Sequence, residues 1–317
     1  MRLFRNTRID FLSLRWHATV LSLLVIAAGA TSMVLKGGLR MGIDFAGGSQ
    51  IIVRFAEPLD PGELRAVLTD GGLGSSQVQQ LDDADEALIR TPLVGTTDSS
   101  EITEEVAAAL DRIGGYTIVG SEWVGPQVGQ DLRRQAAQAM VFSLAGMLAY
   151  ISYRFEMKYG VAAVIALGHD VLVTLGAFSL ADREMNLPVI AALLTIVGYS
   201  LNDTVVIFDR IRENNQALRG ASFYERINVS VNQTLSRTIL TSATTLMVVA
   251  ALFFFGGPMI NDFAFAMLVG VIAGTYSTVF IANPIVLHWE ARVTARRRAQ
   301  SGPAPAARPS ARRRARP

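Results

Sequence analysis

The chain has 317 residues, a formal net charge of +2, half of its residues hydrophobic and a mean hydropathy of +0.34. A soluble domain of this size needs more polar surface than that, so the composition points to a membrane protein. There is no cysteine, which excludes a disulfide framework and a thiolate metal site.

About 20 consecutive apolar residues carry a helix across the hydrocarbon core. Six stretches qualify in chain order: His17–Leu35, Ala136–Tyr153, Tyr159–Leu180, Leu187–Phe208, Thr238–Phe255 and Phe263–Leu287. The first is followed by Lys36-Gly37-Gly38, with no small-residue cleavage pattern, and is expected to be a signal anchor. Residues 1–16 then form a cytoplasmic N-terminus, 17–35 the first span, 36–134 an outside domain, 135–290 a five-helix bundle and 291–317 a basic tail. Orientation follows the arginines and lysines of the loops. The N-terminus, the connections after the second and fourth spans and the tail hold 20 of the 29 Lys and Arg residues. That side is expected to be the cytoplasm, with both termini inside. The tail after Glu290 is rich in Ala, Pro and Arg and is expected to be disordered. It is either a solvated topology anchor touching anionic membrane lipid or a contact for another acidic partner such as a ribosome.

Residues 36–134 are polar and carry turn signals. Ser49–Phe55, Gln77–Leu81, Ala87–Thr91 and Tyr116–Trp123 read as strands. Asp60–Leu68, with Pro61 at its first position, and Ser99–Ile113, capped by Ser99 or Ser100, read as helices. The order β-α-β-β-α-β is the split, ferredoxin-like arrangement. The expected fold class is therefore a polytopic α-helical membrane protein of six transmembrane helices with an α+β ferredoxin-like periplasmic domain between the first two. This insert has no His and no Cys, and Gly47-Gly48 lacks the surroundings of a phosphate loop. Those glycines are expected to make a tight backbone turn ahead of a strand, and the insert to contact protein.

Charged groups within a span are costly, and they are paired or functional. Asp170 lies midway along the third span, after His169, and Asp203 lies in the fourth, between Asn202 and Thr204. Asp203 precedes Asp209-Arg210 by six residues, about 9 Å inside the boundary at 1.5 Å per residue. Arg237 opens the fifth span from the same side, so two antiparallel helices can bring it to the depth of Asp203. A carboxylate beside a guanidinium stays ionised, and one left alone in an apolar site takes up a proton. The pair is then either a proton-coupling device or a static buried ion pair. For Asp170 and His169 a hydrogen-bonded structural role is the other reading. Ser200, Asn202 and Thr204 can hydrogen-bond between helices, and Gly270-x-x-x-Gly274 is a helix-packing face. Neither acid sits in a Gly-x-Gly-Asp pattern, and His17, His169 and His288 are scattered, so neither an intramembrane protease nor a metal hydrolase is expected. The chain is not expected to be an enzyme.

Several segments carry a resemblance. Gly42-Ile43-Asp44-Phe45-Ala46-Gly47-Gly48, Val124-Gly125-Pro126-Gln127-Val128-Gly129, Leu167 to Phe178 (LGHDVLVTLGAF), Gly198 to Asn214 (GYSLNDTVVIFDRIREN), Thr234 to Thr245 (TLSRTILTSATT) and Ile281-Ala282-Asn283-Pro284 occur in that order. Together they resemble the SecF branch of the SecD/SecF protein-export family, within the resistance–nodulation–division superfamily. The resemblance spans Arg40 to Leu287. It implies a subunit that pairs with SecD, works with the SecYEG channel and uses the proton motive force to draw preproteins across the bacterial inner membrane. It implies Asp203 and Arg237 as the proton pathway, no prosthetic group, no metal and no nucleic-acid partner. The alternative is a half-transporter that exports lipid or drug; a third reading is a passive scaffold of the translocase.

Overall fold

The computed structural model describes residues 7–81, 85–92 and 99–300. Among the described residues six helices are long and apolar enough to cross a membrane. A short 3-10 turn, Phe11–Leu14, leads into α1 (Arg15–Leu35), and Asp10 caps that turn by accepting from the Ser13 amide at 3.2 Å. Strand β1 (Arg40–Met41) and a single helical turn, α2 (Ile43–Ala46), follow. The inserted domain runs β2 (Gly48–Phe55), α3 (Pro61–Asp70), β3 (Gln77–Gln80), β4 (Glu86–Pro92), α4 (Ser99–Leu110) and β5 (Tyr116–Val124). The bundle continues with α5 (Pro126–Arg154), α6 (Met157–Leu180), strand β6 (Glu184–Met185), α7 (Leu187–Ala217), α8 (Phe223–Phe255), α9 (Pro258–Ser277) and α10 (Asn283–Gln300).

The inserted sheet is antiparallel throughout, in the order β3-β4-β2-β5. Alternate residues of β2 and β4 point to one side, where Ile51, Val53 and Ile89 pack with Leu64 and Leu68 of α3 and Val106 and Leu110 of α4. The elements start and stop within a few residues of the sequence-based bounds. The expected cap at Ser99 or Ser100 involves side chains outside the described residues.

The long helices divide into an inner and an outer set. About half of the apolar windows of α6, α7 and the last span is buried, against 17% for α1 and α8 and 6% for α5. Small residues set the inner spacing. A Cβ on Gly29 of α1 would lie 2.5 Å from the Cα of Gly176 on α6, and one on Gly274 of α9 would lie 2.9 Å from the Cβ of Ser200 on α7. Backbones this close require glycine.

Four helices overrun their apolar windows. The second starts at Pro126 where Ala136 was expected. The fourth continues past Phe208 to Ala217, and the fifth starts at Phe223, placing Arg237 well inside a helix that it was expected to open. The sixth is interrupted by a π-turn at Thr278–Ala282. Pro284 has no N–H to give the preceding turn, and Asn283 instead donates its side-chain amide to the Thr278 carbonyl at 2.9 Å. The tail expected to be disordered from 291 remains helical to Gln300; residues 301–317 lie outside the described residues.

The Gly42–Gly48 segment fixes the inserted domain to the bundle. Strand β1 pairs in parallel with β6, and the Gly42 amide donates to the Met185 carbonyl at 2.8 Å. Phe45 is buried among Phe178, Met185 and Val189. Asp44 accepts from the Leu187 amide at 2.7 Å, at the positive end of α7. Gly47 and Gly48 have φ of +80° and +148°, and the Thr91 carbonyl would lie 2.6 Å from a Cβ on Gly48. This is the tight turn expected of these glycines, and glycine fits it without strain. Lys36 and Arg40 bridge Asp182 at 3.0 and 2.5 Å, and Arg90 of β4 reaches Glu184 at 3.7 Å. The opposite end of the bundle gathers Ile9 against Asn232, Arg154 against Asp209 and Lys158 against Glu290.

Candidate functional site

Helix α7 presents Ile196, Ser200, Asp203, Thr204 and Ile207 to the interior at helical spacing, and all are buried. Gly270 and Gly274 of α9 let that helix settle onto Ile196 and Ser200. Thr204 donates to the Ser200 carbonyl at 3.1 Å and meets Thr278 hydroxyl-to-hydroxyl at 2.9 Å. These contacts hold α7 at fixed rotation beside α9.

Asp203 is 3% exposed, and neither carboxylate oxygen has a hydrogen-bond partner among the described residues. Buried carboxylates are nearly always bonded, so this group stands out. Arg237 and Thr241 lie one turn apart on α8: Arg237 acts on it as a charge, and the Thr241 hydroxyl is close but is donated to the Arg237 and Thr238 carbonyls. No ion pair within 4.0 Å joins Asp203 to Arg237 among the described residues. The static ion pair allowed by the sequence is not formed here. Arg237 is exposed and lines a groove of about 1510 Å³ with Arg8, Arg210 and Gln233. The acid is thus buried in the bundle while its cation lines an open groove.

Asp170 is 1% exposed and well satisfied. Ser200 and Ser277 donate to its Oδ2 at 2.7 and 2.9 Å, and His169 Nδ1 lies 3.0 Å from Oδ1. Asp203 and Asp170 therefore address the same stretch of α7, Asp170 through Ser200, three residues before Asp203. Asn202 points away from this interior and is exposed. The sequence reading missed Ser277, Ser22 and Tyr276 around the Asp170 pair. A single hydroxyl in an apolar helix gives no signal of which remote helix it will meet.

A helical bundle with a β-sheet domain clamped to it by a Gly-Gly turn, and a buried unpaired acid beside an arginine, defines a polytopic membrane protein with an ionisable interior site. The model for "Protein export membrane protein SecD/SecF, C-terminal" matches residues 104–292, and that for the "SecD/SecF GG Motif" matches 33–58. The chain is 45% identical to the protein translocase subunit SecF of Desulfurispirillum indicum, covering 90% of this chain and 92% of that one. It is 41% identical to the protein translocase subunit SecF of Pseudomonas aeruginosa, over 89% and 91% of the two chains. The crystal structure of SecDF from Thermus thermophilus, a translocon-associated membrane protein, superposes with a TM-score of 0.80 at 38% identity, covering 90% of this chain and 39% of that longer one. The chain belongs to the SecD/SecF family of protein-export membrane proteins.

Proposed function

We propose that the chain is a SecF-type subunit of a protein translocase, which uses the proton motive force with a SecD partner to promote export across the bacterial inner membrane. The observation that carries the coupling is the carboxylate of Asp203, without a hydrogen-bond partner among the described residues, beside the exposed Arg237, with no ion pair between them. A buried carboxyl without a partner favours the protonated form, and approach of the guanidinium favours the ionised form. Movement of α8 against α7 would then load and release a proton. Asp170 is the further acid of this pathway, with His169 and Thr204 as supporting polar groups; Asn202, expected among them, faces outward instead.

An exposed stripe on α7 supports the SecD partnership. Ala191, Thr195, Gly198 and Asn202 lie on one face and remain open in this chain. Small residues with hydroxyl and amide groups suit a partner helix better than lipid tails. The Thermus relative named SecDF, of which this chain covers 39%, fits the same reading. The SecYEG channel and translocating preproteins are the other proposed partners. The orientation places residues 7–10, the 154–158 turn and the 209–223 connection in the cytoplasm, and the ferredoxin-like domain in the periplasm. The collection of the basic loops at one end of the bundle supports it.

Depletion of the chain in cells, followed by pulse-chase of a secreted reporter, tests this function. Slow maturation, with SecD recovered on the tagged chain from the replete strain, is expected. Normal maturation on depletion would overturn the reading, as would loss of lipid or drug efflux with export intact.

A further inference from the structure

His169 is held by a hydrogen-bond chain whose direction can be followed from its far end. Tyr276 of α9 donates its hydroxyl to the Ala18 carbonyl of α1 at 2.6 Å. A carbonyl only accepts, so the single phenolic proton is spent there. Ser22 Oγ, 3.1 Å from that phenol oxygen, is then the donor to it. Its own single proton is now used. His169 Nε2 lies 3.1 Å from Ser22 Oγ, so this contact has to be donated by Nε2–H.

That leaves Nδ1 facing Asp170 Oδ1 at 3.0 Å. Without a proton between them, two lone pairs would oppose each other in a buried site. Asp170 is 1% exposed and His169 8%. A proton on Nδ1 turns the repulsion into a charge-assisted N–H···O bond, and one on Oδ1 turns it into a neutral O–H···N bond. Either makes the pair neutral overall, which is the cheaper state within a membrane. The remaining oxygen, Oδ2, is occupied by the hydroxyls of Ser200 and Ser277, which leave it no further donor to seek.

The geometry assigns His169 and Asp170 as one proton-holding site: the two residues share a proton between Nδ1 and Oδ1 while Nε2 is protonated and donates to Ser22. The groups facing the pair are Ser22 from α1, Ser200 from α7 and Ser277 and Tyr276 from α9, and no Lys or Arg is hydrogen-bonded to it among the described residues. Loss of the shared proton would leave a negative charge bonded to Ser200, one turn from Asp203. Communication between the two acids rests on the proposed role of Asp203; the proton count rests on the hydrogen-bond chain alone.

The test is solid-state NMR of the full chain, labelled with 15N-histidine and 13C-aspartate, in lipid bilayers at neutral pH. The sequence has three histidines, and a His17→Gln, His288→Gln double variant leaves only His169. The expected spectrum has a protonated Nε2, with Nδ1 either protonated or hydrogen-bonded to a carboxylic acid. A bare Nε2 with a protonated Nδ1, beside an ionised Asp170, would overturn the assignment. The same spectrum is expected in the Asp203→Asn background. A failure of Asp203 to affect export therefore leaves this result standing, and a bare Nε2 leaves the Asp203 proposal standing.

Discussion

Phe45→Ala should release the inserted domain from the bundle. Phe45 is 2% exposed and shares a cluster with Phe178, Met185 and Val189, while its own carbonyl lies 2.9 Å from the place a Cβ on Gly129 would take. Truncating a buried phenylalanine costs about 3–5 kcal/mol. Since about 1.4 kcal/mol is tenfold in an equilibrium, the ratio of docked to undocked domain should fall by a factor of roughly 10² to 4,000. What remains is a two-residue strand pair, the Gly42 and Asp44 hydrogen bonds and the ion pairs of Asp182 and Glu184, the exposed ones each worth about 1 kcal/mol or less. Spin labels at Asp70→Cys on α3 and Ala181→Cys beside β6 would report the distance, because the chain has no cysteine of its own to compete. A narrow distribution in the parent should become broad in Phe45→Ala and remain narrow in Phe45→Leu. An unchanged narrow distribution in Phe45→Ala would refute the assignment of this side chain as the anchor.

Two further outcomes follow from the packing and the charges. Gly274→Ala adds a methyl 2.9 Å from the Ser200 Cβ and should lower stability by about 1–3 kcal/mol through overpacking, whereas Gly168→Ala, with nothing within 4 Å of the added methyl, should cost nothing in the same thermal unfolding in detergent. Hydrogen bonds from Lys36 and Arg40 hold the Asp182 carboxyl below its ordinary value. A lowered folded value stabilises above the unfolded pKa of about 3.9 and ceases to do so as pH falls through the folded one. Asp182→Asn should therefore unfold earlier than the parent above about pH 5, and the gap should narrow as pH falls below about 4; a gap constant through that fall would contradict the bridge.

Much of this architecture can be read from the residues, and the parts that cannot have physical reasons. The six spans announce themselves because hydrocarbon demands a continuous apolar run. The polar ends of those helices do not, since hydropathy marks only the stretch in lipid. Helix α8, at 33 residues, is about 50 Å long, well beyond a bilayer core of about 30 Å. The strands of the insert show in their alternation, but β1 and β6 are two residues each and depend on a partner more than 140 residues away. Asp203 and Arg237 could be paired in thought from their depths. That the carboxylate would be left without a hydrogen bond could not, because it depends on the rotation of α7 set by Gly270 and Gly274. The chain of Ser22, His169 and Tyr276 joins residues 147 and 254 positions apart, each ordinary in its own helix.

Asp203 is proposed to exchange a proton in step with export. Asp203→Asn, Asp203→Glu and the parent chain should be expressed in cells lacking another copy, and maturation of a secreted reporter followed by pulse-chase with and without an ionophore. Membrane level and SecD recovery would be matched across the strains. Slow export is expected in Asp203→Asn that the ionophore slows no further, with at least partial recovery in Asp203→Glu, which restores a proton-exchanging carboxyl. Parent-like export in Asp203→Asn, still sensitive to the ionophore, would contradict it and leave the chain a structural part of the translocase.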